Sequence, residues 1–185
     1  MEVENLGVTG PYLITPRIFE DDRGYFFESF NQKEFNEKIY EVNFVQDNES
    51  CSQYGVLRGL HFQKPPYEQA KLVRVVKGAV YDVAVDIRKD SPTYGKYFGV
   101  LLTESNHNQF FVPRGFAHGF IALGKDNIFQ YKCDNFYNKE SEGAIAWNDK
   151  EIDINWKDYI FSKGDIILSE KDKLNKPLSE IDNPF

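Results

Sequence analysis

The stretch Val56-Leu57-Arg58-Gly59-Leu60-His61-Phe62-Gln63 sets Arg58, His61 and Gln63 among apolar neighbours that favour an extended chain. Side chains alternate faces along a strand, so Leu60 and Phe62 share one face while His61 and Gln63 share the other. Arg58 falls on the parity of Leu60 unless Gly59 marks a bulge that flips the register. A face with these polar groups is either solvated or lines a pocket. A second candidate is Pro113-Arg114-Gly115-Phe116-Ala117-His118, where a histidine enters a strand after a proline–glycine turn. A metal site needs several nitrogen or oxygen ligands converging. His61 and His118 could supply two, and Gln63 is a poor third. His107, in Ser105-Asn106-His107-Asn108, reads as solvated surface. Cys51 and Cys133 form no CxxC or CxxH pattern and read as two reduced, half-buried thiols. No metal is expected.

The elements that must position these residues are mostly short strands. Tyr12 to Thr15 reads as a first strand stopped by Pro16, residues 20 to 24 as a turn, and Tyr25 to Phe30 as a second strand. Asn31 can cap a short helix, with Glu34 three residues on, and Phe35 and Ile39 give that helix one apolar face. Strands follow at Phe44 to Glu49, Val56 to Gln63, Lys71 to Val76 and Ala79 to Ile87. Lys77-Gly78 reads as a hairpin-type connection. Further strands are expected at Tyr97 to Leu102, Gln109 to Val112, His118 to Leu123 and Ile128 to Cys133. The pattern predicts a mainly β sandwich, barrel or jelly roll in one domain over residues 1–185. The tail from Ile152 reads as short turns wrapped on the body.

The length allows a substantial core, and 16% aromatic residues suit cross-strand contacts or a stacking pocket. Net charge is -7 with no basic run, which argues against nucleic acid as partner but leaves room for a small anionic ligand held by a few placed cations. No basic-then-apolar pattern opens the chain and no apolar run is long enough to span a bilayer, so a cytoplasmic protein is expected.

The Pro113 to His118 segment resembles half of the cupin metal pattern. His61-Phe62-Gln63 stands where His-x-His would be, so a cupin-type jelly-roll barrel without a metal fits better than a metallo-cupin. Nearly the whole chain, in order, resembles the dTDP-4-dehydrorhamnose 3,5-epimerase family. The motifs are Asp22-Arg23-Gly24-Tyr25-Phe26-Phe27-Glu28, Phe44-Val45-Gln46-Asp47-Asn48, the Val56 to Gln63 stretch and Lys71-Leu72-Val73-Arg74. They continue through Tyr81 to Arg88, Pro113 to Phe120, Tyr131-Lys132, Trp147-Asn148-Asp149 and Leu168-Ser169-Glu170-Lys171-Asp172. The resemblance implies a homodimer, no cofactor, and a dTDP-4-keto-6-deoxy sugar as substrate. A 4-keto sugar has acidic protons at C3 and C5, and inverting each centre needs a base, an acid on the opposite face and a charge for the enolate oxygen. The ketone is the electron sink.

By the same resemblance His61 is the base, Asp172 orients it, Tyr131 is the opposing acid and Lys71 steadies the enolate. Each has an ordinary reading as well. Ser169 to Asp172 is also a capping box, Tyr131 a core tyrosine, and Lys71 a strand-end lysine. Arg23, Phe26, Glu28, Gln46, Asn48, Arg58, His118, Glu142 and Lys171 match substrate-contacting positions, with the Arg23 region reaching into the partner's site. Tyr137 matches the residue that stacks on thymine; a surface aromatic is the plain alternative. The loop Lys64-Pro65-Pro66-Tyr67-Glu68-Gln69 and Asn135-Phe136 depart from the family forms. The readings that remain open are a relative acting only at C3 or on another sugar, a ketoisomerase, a non-catalytic nucleotide-sugar binding module and a metal-dependent oxygenase.

Overall fold

Strand pairing divides the chain into two facing antiparallel sheets, seen in a computed structural model that describes residues 1–160 and 166–185. The strands are β1 (Glu2–Asn5), β2 (Tyr12–Thr15), β3 (Phe19–Asp21), β4 (Gly24–Phe26), β5 (Gln46–Gln53), β6 (Leu57–Gln63), β7 (Lys71–Lys77), β8 (Ala79–Asp86), β9 (Tyr97–Thr103), β10 (Gln109–Val112), β11 (Phe116–Ala122), β12 (Asp126–Cys133) and β13 (Glu142–Ala144). One sheet runs β1-β2-β10-β7-β12-β5 and the other β13-β6-β11-β8-β9, while β3 and β4 form a separate hairpin. From β5 to β13 successive strands alternate between the two sheets except at the β8–β9 pair, which is the connectivity of the expected jelly roll.

Three apolar clusters hold this arrangement. Val73, Val75, Phe110 and Phe129 of one sheet meet Val80, Ala84, Val100, Phe116 and Phe120 of the other, forming the core between the sheets. The outer face of the five-stranded sheet, through Leu57, Leu60, Phe62, Tyr81, Val83 and Val85, is covered by tail residues Ile152, Ile154, Trp156 and Leu178. Strand β8 is therefore buried on both faces, as its run of valines predicts. Helix α1 (Gln32–Lys38) covers the other outer face, where Phe35 packs with Ile14, Leu72 and Phe111. Full burial of a side chain such as Phe35 contributes about 1.5–3 kcal/mol.

Asn31 caps α1 as expected, its side chain accepting from the Glu34 N–H at 3.1 Å. The reciprocal half of a capping box is not made, because Glu34 pairs instead with the Met1 ammonium at 2.7 Å and Lys38 at 2.9 Å. Several boundaries differ from the sequence reading. Phe44 belongs to the aromatic cluster under α1, edge-on to Phe30 and Phe35, and β5 begins only at Gln46. The second strand stops at Phe26, since Phe27 turns to pack against Tyr25 and His107. His107 is accordingly half-buried between two rings and not a solvated turn residue. Lys77-Gly78 is no hairpin: β7 and β8 lie in different sheets, and Gly78 (φ +84°) turns the corner under Asn127, where a Cβ would stand 2.5 Å from Oδ1. The cysteines are not alike, Cys51 being exposed and Cys133 fully buried, both as free thiols. The tail forms short 3-10 turns at Trp156–Tyr159, Asp172–Leu174 and Leu178–Glu180, and the part of the tail at 161–165 lies outside the described residues.

Candidate active site

One end of the space between the sheets is polar, and a bulge in β6 makes it so. His61 pairs with His118 and Arg58 with Phe120, so β6 spends three residues where β11 spends two. The extra residue is Gly59, at φ +135°, where a Cβ would stand 2.6 Å from the Gly119 Cα. Only glycine accepts that conformation and that approach. The bulge flips the parity: Leu57, Leu60 and Phe62 all enter the covered outer cluster, while Arg58 and His61 both line a cleft of about 510 Å³. This resolves the register question that the strand alone leaves open.

His61 Nε2 lies 2.6 Å from Oδ1 of Asp172, which is 5% exposed. The Ser169 hydroxyl donates to Asp172 Oδ2 at 2.9 Å and accepts from the Asp172 N–H at 3.1 Å. The capping-type turn and the His–Asp pair thus coexist, one carboxylate oxygen serving each. Burial alone would raise the Asp172 pKa, but hydrogen bonds from His61, Ser169 and Asn175 hold it below the usual carboxylate value. The tail segment that carries Asp172 is tied to the body by backbone bonds from Leu57 N–H to Ile167 C=O and from Ile167 N–H to Gly55 C=O.

Lys71 and Tyr131 line the same cleft from the six-stranded sheet, facing His61 on the five-stranded one. Lys71 is not a solvated strand end. Desolvation pushes its pKa down, and it makes no ion pair among the described residues, its ammonium resting 5.8 Å from the Tyr131 ring centre. Burial pushes the Tyr131 phenol up. His118 lies beside His61, its Nε2 2.7 Å from Oδ1 of the fully buried Asp82. Arg58 is steadied by its Nε donating to Ser52 Oγ at 3.1 Å, which leaves the terminal nitrogens of its fork for a ligand.

At the rim Lys171 pairs with Glu142 at 2.5 Å, raising the lysine pKa and lowering that of the carboxylate, and Tyr137 bonds the same carboxylate. Gln46 accepts from the Tyr137 N–H at 3.2 Å and donates to Asn48 at 3.1 Å. Gln63, whose position would hold a metal-binding histidine, is spent on structure: it donates to the Tyr67 and Phe136 carbonyls and accepts from the Asn138 N–H. That fixes the loop bearing Tyr137.

Three predicted residues lie apart from this cluster. Arg23 is at the exposed tip of the β3–β4 hairpin, paired with Asp21, and Phe26 on that hairpin is 66% exposed. Glu28 accepts from Asn31 at 3.2 Å beside the N-terminal strands. Sequence reasoning passed over Asp82 and Ser52. The signal for Asp82 was a carboxylate in a strand otherwise apolar on both faces, a placement that demands a purpose. Ser52 carries no comparable mark.

A base held by a carboxylate on one wall, with a phenol and an ammonium on the other, can take a proton from one face of a carbon acid and return one to the other. Residues 5–180 match the family model for dTDP-4-dehydrorhamnose 3,5-epimerase. The dTDP-4-dehydrorhamnose 3,5-epimerase of Methanothermobacter thermautotrophicus is 51% identical over 171 residues, covering 92% of this chain and 91% of its own length. The crystal structure of the same enzyme from Elizabethkingia anophelis has a TM-score of 0.92 at 50% identity, covering 99% of this chain and 98% of that one. A dTDP-6-deoxy-D-glucose-3,5-epimerase from Legionella pneumophila, in complex with dTDP-4-keto-L-rhamnose, also has a TM-score of 0.92, at 44% identity and 98% and 94% coverage. With a shared fold, near-complete coverage and about half its residues identical to such relatives, the chain belongs to the dTDP-4-dehydrorhamnose 3,5-epimerase family.

Proposed function

We propose that this chain epimerises dTDP-4-dehydro-6-deoxy-D-glucose at C3 and C5, giving dTDP-4-dehydro-L-rhamnose on the route to dTDP-L-rhamnose. The observation that carries the reading is the His61–Asp172 pair, 2.6 Å apart, in one cleft with Tyr131 and Lys71 from the facing sheet. Asp172 holds the proton on His61 Nε2, leaving the Nδ1 lone pair to abstract the proton at C3 or C5. The electron pair moves onto the C4 oxygen, where the Lys71 ammonium balances the enolate charge. Tyr131 then delivers its phenolic proton to the opposite face, and solvent restores both groups. No cofactor enters, because the ketone accepts the electrons.

Arg58, His118, Gln46, Asn48, Tyr137, Glu142 and Lys171 bind the nucleotide sugar in this reading, Arg58 on the diphosphate and Tyr137 against the base. Arg23, Phe26 and Glu28 serve the site of a partner subunit in a homodimer. The support is an exposed hairpin whose Phe19, Tyr25 and Phe26 are each more than half uncovered. The protein acts in the cytoplasm. Among the described residues no helix is long and apolar enough to cross a membrane.

Incubation with the 4-keto-6-deoxy sugar nucleotide in deuterated water, followed by mass spectrometry, tests the reaction. Two deuterons support double epimerisation, one indicates a single-site relative, and none with retained binding leaves a nucleotide-sugar binding module. Sedimentation of the wild type against Tyr25→Ser/Phe26→Ser tests the dimer, which the double substitution should weaken.

A further inference from the structure

Asp82 is the least explained charge in the molecule. It is 0% exposed, its Oδ1 takes the His118 Nε2 at 2.7 Å, and its Oδ2 has no hydrogen-bond partner among the described residues. A buried carboxylate oxygen without a donor is costly, and a nearby cation is the usual compensation. Strand parity places one cation in the same interior. On β8, Asp82 shares its face with Val80 and Ala84 of the core between the sheets. On β7, Lys71 shares its face with Val73 and Val75 of the same core. The two side chains therefore enter one interior from opposite sheets, and their charges attract. Neither His61, already paired with Asp172, nor Arg58, bonded to Ser52, is the partner of that oxygen.

We infer that Asp82 is a positioning residue of this site: Oδ1 holds His118 in place, and Oδ2 supplies the counter-charge that keeps Lys71 an ammonium inside the barrel. The inference rests on the reading of Lys71 as the group that balances the enolate. An uncharged Lys71 could not do so, and the surrounding protein works against its charge. Besides His118, His61 and Arg58, the titratable groups facing this interior among the described residues are Tyr131 and Cys133 on β12. Burial pushes both upward, so they stay neutral and offer no competing anion near neutral pH. Asp82 is then the carboxylate whose charge acts on Lys71, while Asp172 is committed to His61.

Asp82→Asn removes the charge and keeps the size and the hydrogen-bond acceptor for His118. The Lys71 ammonium can be followed directly by carbon NMR of protein labelled at lysine Cε, its signal identified by absence in Lys71→Met. In Asp82→Asn the Lys71 titration midpoint should fall, and the basic limb of the kcat profile should move to lower pH with it. Turnover should drop about tenfold or more at pH 8, with a smaller loss at pH 6 and KM changed by about twofold or less. A purely structural Asp82 predicts a loss independent of pH and an unmoved Lys71 midpoint, and that result in a folded variant overturns the inference. If Asp82→Asn does not fold, linkage supplies the reciprocal measurement: in Lys71→Met the Asp82 carboxyl midpoint should rise. An unchanged carboxyl midpoint there overturns the inference equally. Both titrations are read without substrate, so a failure of the epimerase reading leaves them intact and is recognised separately by the absence of turnover in the wild type.

Discussion

Oδ1 of Asp172 lies 2.6 Å from His61 Nε2 while its Oδ2 accepts from Ser169, so a single carboxylate both closes a turn of the tail and fixes a histidine on β6. His61 and the tail that covers it are thus one mechanical unit. Asp172→Asn should leave the turn largely intact, since an amide can still bond Ser169. It should free the His61 tautomer and cut turnover roughly a hundredfold or more.

The same carboxylate gives a pH prediction. Its folded pKa is depressed, chiefly by His61 and Ser169 against the opposing effect of burial. A depressed carboxylate contributes stability that is fully present above its unfolded value, about 3.9, and is lost as pH falls through the folded value. The melting temperature of wild type should therefore exceed that of Asp172→Asn near neutrality, and the gap should close on acidification through and below about pH 4. A gap that widens on acidification would contradict the assignment.

Gly59 offers a test of how the site is shaped. A Cβ there meets the Gly119 Cα at 2.6 Å, and φ of +135° is closed to alanine. Gly59→Ala should destabilise the fold by about 1–3 kcal/mol or more. It should also abolish activity in whatever fraction remains folded, because removing the bulge turns Arg58 out of the cleft. Denaturant melts alongside activity measurements check both outcomes. A variant with wild-type stability would show that the bulge is not enforced by this glycine.

Much of this was legible in the sequence, and the failures have physical causes. The alternation of β6 announced a polar face, and Gly59 announced the only device that could add Arg58 to it. The valine run of β8 gave a strand buried twice over, and Asn31 with Phe35 gave the helix. What sequence could not supply was partnership across the sheets. Lys77-Gly78 looks like a hairpin locally and is a corner only because β7 and β8 have other partners. Phe44 has strand propensity, yet packing beneath α1 claims it. Lys71 reads as solvated until its strand is seen to end inside the barrel. Asp172 is 111 residues from His61, and no local pattern encodes that meeting; only the resemblance to a family suggested it.

Gln63 predicts the response to chelators. Its amide is consumed by Tyr67, Phe136 and Asn138, and His118 is held by Asp82, so His61 stands without the neighbours a cupin metal site would need. Dialysis against EDTA should leave turnover within about twofold of its starting value, the remaining side-chain machinery being enough for proton transfer. Loss of activity that one divalent ion restores would require a different mechanism.

The sharpest prediction concerns Tyr131, because the proposed mechanism assigns proton removal and proton return to different walls of the cleft. Tyr131→Phe deletes only a hydroxyl and keeps the ring against Phe129, so folding should survive. His61 should still form the enolate with Lys71 balancing the charge, and the resulting imidazolium can return a proton to the face it came from. Solvent deuterium should therefore enter the sugar without inversion, while net epimerisation falls roughly two to four orders of magnitude. His61→Asn should lose exchange and inversion together. If Tyr131 were only a core residue, the phenylalanine variant would change neither activity, or would lose both in step with its melting temperature. Exchange, inversion and melting temperature measured on one Tyr131→Phe sample separate these cases. Exchange and inversion that stay equal in a folded variant would remove Tyr131 from the role of opposing acid.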